Sequence, residues 1–207
     1  MKVIVLASRK GGAGKTTVAC HLAVEIERCG EGPVVVLDAD PMAGLSRWWD
    51  ARKAATPVLV KQAETLAATL VTCADAGIAW VIIDTPPAAQ PSVASIITAA
   101  DLVIIPVQPT PDDLLAVGVT VEMCQAAHRP FVFLINRVKP RVRLTGQAAI
   151  ELSQHGVVCP VFLWDRSDYA AAKTDGRTAP ELDPSGPAAR EVEGIWRYVA
   201  ARMGATP

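Results

Sequence analysis

A glycine-rich segment near the start of the sequence constrains the fold most strongly. It reads SRKGGAGKTT over residues 8–17 and directly follows the apolar run at residues 3–7. Glycine has no Cβ, so such a loop turns tightly from a strand into a helix and lets backbone N–H groups surround a phosphate at the positive end of the helix dipole. The segment therefore predicts a strand, a phosphate-binding loop and a helix in that order.

The loop departs from the common pattern G-x-x-x-x-G-K-[ST], because Arg9 occupies the position of the first glycine and Lys10 precedes the glycines. We expect the Lys15 ammonium to reach the β and γ phosphates of a nucleotide and the Thr16 hydroxyl to bind Mg²⁺. A tight turn without a ligand is the structural alternative, which the ending Gly-Lys-Thr-Thr disfavours. The residues predicted to surround the phosphates are Gly11, Gly12, Ala13, Gly14, Lys15, Thr16 and Thr17.

The rest of the 207 residues alternates short apolar runs with amphipathic segments, which is the pattern of a parallel sheet covered by helices on both faces. This length fits one domain, so we predict a single α/β domain of the phosphate-loop NTPase type over residues 1–207. The predicted strands are residues 2–7, 33–37, 58–60, 79–83, 102–107, 131–135 and 157–163. The predicted helices are residues 15–29, 45–55, 63–76, 92–100, 112–127, 144–154 and 188–203. Residues 174–187, rich in Pro, Gly, Asp and Ser, are predicted to form a mobile loop.

Carboxylates follow two of the predicted strands, in the sequences DADP at residues 38–41 and DTPP at residues 84–87. Because ligands of such sheets bind at the carboxyl ends of the strands, we expect Asp38, Asp40 and Asp84 beside the phosphate loop. Asp84 would hold Mg²⁺ through water, in the manner of a Walker B aspartate. Asp38 and Asp40 would orient an attacking water or a magnesium-bound water, and Asp40 is also expected to be a helix N-cap before a proline.

These motifs together resemble the deviant Walker A ATPases of the ParA/MinD superfamily, whose pattern stands here as KGGAGKTT (residues 10–17), DADP and DTPP. The resemblance implies that Lys10 is a signature lysine that reaches across a two-fold axis to the ATP of a second subunit. Two ATP molecules that face each other repel, and a lysine supplied by the other subunit offsets that charge. We therefore expect an ATP-dependent homodimer with Lys10, Lys15, Asp38 and Asp40 as its catalytic residues.

The resemblance spans nearly the whole chain and is closest to the small ParA-type (ParF-like) partition ATPases, so no N-terminal DNA-binding extension is expected. It implies that the proline-rich loop at residues 106–113, including Pro109, lies near the nucleotide and the dimer interface. A rigid turn into the next helix is expected of this loop as well. The resemblance also implies that Asn136 recognises adenine, since an amide offers a donor and an acceptor to a purine edge. A turn or N-cap role is the alternative for Asn136.

Basic residues concentrate between residues 129 and 177, where eight Lys and Arg accompany four Asp and Glu. ParA-like members of the superfamily bind DNA without sequence preference, and arginine and lysine contacts to phosphates give salt-sensitive affinity of this kind. A solvated charged loop is the alternative. The residues predicted to contact DNA are Arg137, Lys139, Arg141, Arg143, Arg166, Lys173 and Arg177.

Three other functions compete with DNA binding. A MinD-like protein would bind membrane through the segment at residues 195–203, whose apolar residues recur at spacings of three and four. We expect this segment to pack on the sheet instead, because Glu191 and Glu193 lie upstream and its basic content is small. A small-molecule enzyme of the dethiobiotin synthetase type has a similar loop and fold but not DADP followed by the proline loop. A metal-cluster carrier would use paired cysteines, and the five cysteines show no suitable pair.

The apolar run at residues 3–7 is too short for a signal peptide or a membrane span. We therefore place the protein in the cytoplasm. From the motifs and the resemblance, we predict a nucleoid-associated, Mg²⁺-dependent ATPase that dimerises with ATP and binds DNA non-specifically. It would position a cargo, most readily a plasmid. A ParB-like protein that binds the centromere or the cargo would stimulate hydrolysis and so release the DNA.

Overall fold

Strands and helices alternate along the chain. The computed structural model describes residues 1–60, 65–87, 91–140 and 143–205. Its elements are β1 (Lys2–Leu6), α1 (Lys15–Arg28), β2 (Val34–Asp38), α2 (Gly44–Ala51), β3 (Val58–Val60), α3 (Leu66–Asp75), β4 (Trp80–Asp84), α4 (Pro91–Thr98), β5 (Leu102–Val107), α5 (Pro111–Ala126), β6 (Phe131–Ile135), α6 (Leu144–Ser153), β7 (Val157–Val158), α7 (Ser167–Lys173), α8 (Ala179–Leu182) and α9 (Pro187–Arg202).

The strands form one parallel sheet in the order β3-β2-β4-β1-β5-β6-β7. β1 lies at the centre, paired with β4 on one side and with β5 on the other. Leu6 at the end of β1 is in register with Asp84 at the end of β4, and Asp84 is in register with Asp38 at the end of β2. The sheet therefore delivers the phosphate loop and two of the predicted carboxylates to one edge, which confirms the predicted α/β fold.

Each face of the sheet carries its own hydrophobic core. Because successive side chains of a strand point to opposite faces, Ile4 and Leu6 pack on the face covered by α1 and α9. Val3 and Val5 pack on the other face, against α4, α5 and α6. The two cores hold the sheet rigidly between layers of helices, so that the loops at its edge have fixed starting points.

The last helix packs on the sheet. Trp196 has no exposed surface, and its ring meets Trp80 edge to face with 5.0 Å between the ring centroids. Ile195 and Val199 are buried as well, which confirms the expectation that this segment belongs to the core. Among the described residues, no helix has the length and apolar character needed to cross a bilayer.

The predicted strand at residues 157–163 is wrong in length, because β7 ends at Val158. Pro160 lacks the N–H that a continuing ladder would need. The chain nevertheless stays beside β6, since Cys159 donates a hydrogen bond to the Phe133 carbonyl and Leu163 donates to the Ile135 carbonyl. This course carries the following residues along the edge of the sheet toward the phosphate loop.

The predicted loop at residues 174–187 is also wrong, because it contains α8, and the sequence analysis missed α7 in front of it. Thr178 and Glu181 form a capping box, which is a local signal for the start of α8. Glu181 also forms an ion pair with Arg52 at the end of α2 (2.8 Å). The predicted strands at residues 58–60, 102–107 and 131–135 have the observed bounds, and the remaining predicted elements are present with shifted ends. The predicted helix at residues 63–76 begins within residues 61–64, outside the described residues.

Candidate nucleotide site

The loop between β1 and α1 has the shape that its glycines predict. Gly12 and Gly14 have φ angles of 75° and 104°, in the left-handed region that glycine adopts without strain. A Cβ on Gly14 would lie 2.0 Å from Nδ2 of Asn136, so a larger residue does not fit there. Asn136 Nδ2 donates a hydrogen bond to the Ala13 carbonyl (2.8 Å), which fixes the loop against the end of β6.

Lys15, the first residue of α1, is held inside the loop with 6% of its surface exposed. Its ammonium donates to the carbonyl oxygens of Ser8 (3.2 Å) and Lys10 (3.4 Å). Burial lowers the pKa of Lys15, while the carboxylates of Asp84 and Asp40 oppose that change. A polyphosphate would supply this buried cation with strong anionic acceptors, so the position fits the predicted phosphate-binding role.

Thr16 and Asp84 form the part of the site that suits Mg²⁺. The Thr16 hydroxyl donates to Asp84 Oδ2 at 2.5 Å, and Asp84 Oδ1 is buried without a hydrogen-bond partner among the described residues. Burial raises the pKa of Asp84 to about 7, the Thr16 hydrogen bond opposes the rise, and the charge of Asp38 adds to it. Hydroxyl and carboxylate oxygens are ligands of the kind Mg²⁺ takes, and a bound cation would favour the ionised carboxylate. The two residues therefore fit the ion that the sequence predicts.

Asp38 and Asp40 are fixed beside the loop by backbone hydrogen bonds. Asp38 accepts from the N–H of Asp40 (3.1 Å) and from the N–H of Ser46 in the first turn of α2 (2.7 Å). Asp40 accepts from the N–H of Met42 (2.9 Å). The expected N-cap role of Asp40 is wrong, because Asp40 and Met42 form a turn of their own and α2 begins only at Gly44. Asp40 is thereby left in the loop, near enough for its charge to act on Lys15 and Asp84.

Lys10 forms an ion pair with Asp113 of the same chain, in the first turn of α5. The Lys10 side chain is 37% exposed, whereas that of Asp113 is 3% exposed. Thr110 caps α5 and donates its hydroxyl hydrogen to Asp113 (2.6 Å). Within one subunit, the predicted signature lysine is therefore bound at the rim of its own site. Asp113 belongs to the proline-rich loop that is predicted to lie near the nucleotide, but its pairing with Lys10 was not predicted.

Both proline-containing segments lie against the phosphate loop, as predicted. The Gln108 side chain donates to the Gly12 carbonyl (2.9 Å), and the partly buried Pro109 follows it directly. A Cβ on Gly11 would lie 4.0 Å from Cβ of Pro87 in the DTPP segment. A contact between Pro109 and a nucleotide stays a prediction.

A cavity of about 240 Å³ opens beside the loop. Its walls are lined by Thr17 of α1, Asn136 and Arg137 after β6, Trp164 and Arg166 before α7, and Tyr169 of α7. Small-molecule pockets usually measure roughly 300–1,000 Å³; this cavity is smaller and would take only part of a nucleotide, such as a base and sugar with the phosphates in the loop.

The Asn136 amide is already engaged by the protein. Its nitrogen donates to Ala13, and its oxygen accepts from the N–H of Arg137 (2.7 Å). The second bond is of the turn type that the sequence analysis kept as the alternative. Recognition of adenine by Asn136 stays a prediction.

Three of the predicted DNA-binding residues line the cavity, namely Arg137, Arg166 and Lys173, and of these three only Arg137 is exposed. Arg166 forms an ion pair with the buried Glu191 of α9 (2.7 Å), and Lys173 lines the cavity wall. Their positive charge is therefore directed toward the nucleotide site and α9.

Arg137 and the remaining predicted DNA-binding residues that the structure describes are exposed. Arg137, Lys139 and Arg143 lie between β6 and α6, and Lys139 has Asp165 at 4.0 Å. Arg177 forms an ion pair with Asp175 (2.7 Å), which reduces the charge available to a phosphate. Arg141 lies outside the described residues.

One connection near the cavity was absent from the sequence analysis. His21 of α1 donates through Nδ1 to the Thr17 carbonyl (2.8 Å) and accepts through Nε2 from the N–H of Ala179 (3.0 Å). Its ring also meets Tyr169 edge to face at 5.1 Å. The sequence gives no local signal for this connection, because Ala179 lies 158 residues from His21.

These features define an α/β phosphate-loop nucleotide-binding protein, in which a loop lysine, a threonine and strand-end aspartates converge at one edge of a parallel sheet. The model of the CobQ/CobB/MinD/ParA nucleotide-binding domain matches residues 4–179. The chain belongs to this family and is an ATPase of the ParA/MinD type.

Individual relatives agree with this assignment. The chain is 32% identical to the maintenance of carboxysome distribution protein A of Gloeobacter kilaueensis, over 98% of this chain and 94% of that protein. It is 27% identical to the chromosome-partitioning ATPase Soj of Thermus thermophilus, over 97% and 96% of the two chains. The ATP complex of McdA from Cyanothece has the same fold, with a TM-score of 0.76, 19% identity and coverage of 100% and 98%.

Proposed function

We propose that this chain is a positioning ATPase whose Mg²⁺- and ATP-bound homodimer binds DNA without sequence preference. Hydrolysis would separate the subunits and release the DNA, and a partner protein on the cargo would stimulate that step. Because it binds DNA without sequence preference, the protein would be cytoplasmic and associated with the nucleoid. In the site, Lys15 and the loop N–H groups would hold the phosphates, and Thr16 and Asp84 would hold Mg²⁺, which offsets phosphate charge when bound.

The position of Lys10 carries this proposal. Lys10 precedes the glycines at the open rim of the loop, where its side chain is partly exposed. Leu115 lies beside it, and at 83% exposure it is an apolar side chain that a second subunit would cover. The ion pair with Asp113 would break on dimerisation, and Lys10 would then contact the phosphates of the other subunit.

The DNA surface would be built from the exposed residues Arg137, Lys139 and Arg143. A two-fold dimer doubles these charges and offers them together to the phosphate backbone. Monomers would present half as many contacts, and DNA binding would consequently require ATP. Arg137 also lines the nucleotide cavity but is exposed, whereas Arg166 and Lys173 are half-buried in the cavity wall and are therefore left out of this surface.

The cargo is set by the partner protein. Sequence analysis favours a plasmid, and the relatives named for carboxysome distribution favour a protein assembly as the second candidate. In either case, the partner would bind the ATP-loaded dimer and accelerate hydrolysis. The DNA-binding cycle would be the same for both cargoes.

The first test measures binding to a random-sequence DNA duplex with ATP, with ADP and without nucleotide, over a series of salt concentrations. We expect the protein to bind DNA only when ATP is present. The affinity should fall steeply as the salt concentration rises, because each phosphate contact releases a counterion. Anionic liposomes provide the parallel surface. Binding to liposomes but not to DNA would support a MinD-like protein, and the absence of both would contradict the proposal.

A second test addresses Lys10 directly by light scattering of the Lys10→Ala variant with and without ATP. We expect ATP binding with little dimerisation, since the charge repulsion between two nucleotides is no longer offset. The matched control is Arg9→Ala, which removes the exposed neighbouring cation. Equal dimerisation of wild type and Lys10→Ala would contradict the role of Lys10 across the interface.

A further inference from the structure

The Glu191 carboxylate of α9 accepts three hydrogen bonds from the segment that forms one wall of the nucleotide cavity. Oε1 accepts from Nε of Arg166 (2.7 Å), and Oε2 accepts from the backbone N–H of Trp164 (3.1 Å) and from the Tyr169 hydroxyl (2.7 Å). Glu191 is 8% exposed. A buried carboxylate with this many donors is strongly oriented, and it orients its donors in turn.

The residues that donate these hydrogen bonds all belong to the cavity wall. Trp164, Arg166 and Tyr169 all line it, while Glu191 stands behind them on a helix that does not line it. Trp164 also bridges to Val138 on the opposite side of the segment. The wall is therefore fixed between the edge of the sheet and α9.

The same wall is connected to the first turn of α1. Tyr169 packs edge to face against His21, which donates a hydrogen bond to the Thr17 carbonyl. Thr17 lines the cavity from the other side. Glu191 thus fixes the distance between the wall of the cavity and the helix that carries the phosphate loop.

We propose that Glu191 is a positioning residue for nucleotide binding, which holds the Trp164–Tyr169 wall in place for the base and sugar of ATP. It does not contact the phosphates, which the loop binds without it. The inference rests on the nucleotide site described above and adds to it a residue that acts on the nucleoside half alone.

Glutamine at this position separates charge from shape. A carboxylate accepts at both oxygens, whereas the amide of glutamine has one acceptor and one donor. In Glu191→Gln, the amide nitrogen replaces one of the two accepting oxygens. Either the hydrogen bond from Arg166 or the two hydrogen bonds from Trp164 and Tyr169 would then be lost, because a donor would face a donor. The side-chain volume is kept, so the core around α9 remains filled.

The experiment compares ATP with inorganic tripolyphosphate, which has no nucleoside. Dissociation constants for both are measured by calorimetry in wild type, in Glu191→Gln and in the control Glu193→Gln. Glu193 lies two residues away on the same helix, is 41% exposed and pairs with Arg197. We expect Glu191→Gln to weaken ATP binding roughly tenfold, as for the loss of a hydrogen bond to a charged group, and to leave tripolyphosphate binding and the control unchanged.

Kinetics provide a second readout. The Michaelis constant for ATP should rise in Glu191→Gln, while kcat at saturating ATP stays near that of wild type, because the catalytic groups are untouched. Tyr169→Phe removes one of the three hydrogen bonds without removing a charge and should shift ATP affinity in the same direction by a smaller factor. This variant keeps the test decisive if Glu191→Gln does not fold.

The possible results are distinct. Equal losses of ATP and tripolyphosphate affinity, or no change of ATP affinity in Glu191→Gln and Tyr169→Phe, would overturn the inference while leaving the ATPase assignment intact. Wild-type protein that binds tripolyphosphate as tightly as ATP would show that the cavity does not bind the nucleoside and would also overturn it. DNA binding fails or succeeds in the separate salt experiment, so the two proposals are tested independently.

Discussion

Gly14 is the residue with the strictest steric requirement in the site. Its left-handed φ disfavours any residue with a side chain. A Cβ on Gly14 would also lie only 2.0 Å from Nδ2 of Asn136. Asn136 cannot withdraw freely, because it holds the Ala13 carbonyl. The requirement for glycine is therefore a contact between the phosphate loop and the end of β6, as well as a backbone conformation.

We predict that Gly14→Ala lowers the affinity for ATP by about 100-fold, since a loop displaced by an ångström loses the geometry of its phosphate contacts. Gly12→Ala is the control, because Gly12 also has positive φ but no atom within 4 Å of a built Cβ. It should lose about 1 kcal/mol of stability and keep most of its affinity. Titration of both variants with a fluorescent ATP analogue measures the difference, and equal losses would contradict the role of the Asn136 contact.

Asp40 is expected to act on hydrolysis and not on binding. Its position in the loop after β2, near Lys15 and Asp84, suits a carboxylate that orients a water. We predict that Asp40→Ala retains ATP affinity within about threefold and lowers kcat by about 100-fold, the scale of a lost general base. The ATP-bound dimer should then accumulate, which gel filtration with ATP detects.

The control for Asp40→Ala is Asp50→Ala, which removes an exposed carboxylate of α2. Its turnover should match that of wild type. A loss of ATP binding in Asp40→Ala would show instead that the carboxylate is needed to hold Lys15 or Mg²⁺.

At the scale of elements, α2 and α8 are joined by a nearly buried ion pair. Arg52 is 4% exposed at its side chain and contacts both carboxylate oxygens of Glu181 (2.8 and 3.0 Å). It also donates to the Gly176 carbonyl (2.9 Å). The DADP segment is the loop between β2 and α2. The ion pair therefore anchors this loop, through α2, to α8.

We predict that Arg52→Met lowers the free energy of unfolding by about 2 kcal/mol, because the partly buried Glu181 carboxylate loses its charged partner and keeps only the hydrogen bonds from Thr178. Lys53→Met, at the exposed neighbouring position, should change it by less than about 0.5 kcal/mol. Urea unfolding followed by tryptophan fluorescence measures both values. Similar results for the two variants would mean that solvent compensates Glu181.

The elements differ in how far the sequence predicts them. The sheet and α1 were predictable because apolar periodicity and the glycine loop are local signals. The end of β7 and the start of α8 also had local signals, in Pro160 and in the Thr178–Glu181 capping box, which the sequence analysis did not use. The contact between Glu191 and Arg166 had no local sequence signal, because these residues are 25 positions apart and their proximity depends on how α9 packs.

The same distinction holds for the site. Lys15, Thr16 and Asp84 were predictable because each lies at a strand end or in the loop, and parallel strands end at one edge. The partners of Lys10 and Arg166 could not be predicted, because a sequence does not show which carboxylate a long cationic side chain contacts. Among the described residues predicted to contact DNA, Arg137, Lys139, Arg143 and Arg177 are accordingly exposed, whereas Arg166 and Lys173 are half-buried beside the cavity.

At the scale of the whole molecule, His21 makes stability depend on pH. Burial lowers the pKa of His21 to about 4, and the hydrogen bond to the Thr17 carbonyl opposes that shift. The unfolded chain, with a histidine pKa near 6.5, binds a proton more readily than the folded chain. The stabilising contribution is therefore complete above about pH 6.5 and is lost as the pH falls toward about 4.

We predict that the free energy of unfolding of wild type decreases by up to about 3 kcal/mol more than that of His21→Gln between pH 7 and pH 4. Glutamine can accept from the Ala179 N–H but does not titrate in this range. His155→Gln, at an exposed position of the surface, should retain the wild-type dependence. Parallel pH profiles for wild type and His21→Gln would contradict the assignment.

The central place of β1 has a consequence for synthesis. The phosphate loop and β1 leave the ribosome before the strands that flank β1, which are completed only at Asp84 and Val107. At about 5–20 residues per second, β1 waits roughly 4–16 seconds for its first neighbour. During that interval the nascent chain carries an unpaired apolar strand, which makes this segment a natural contact for a ribosome-associated chaperone.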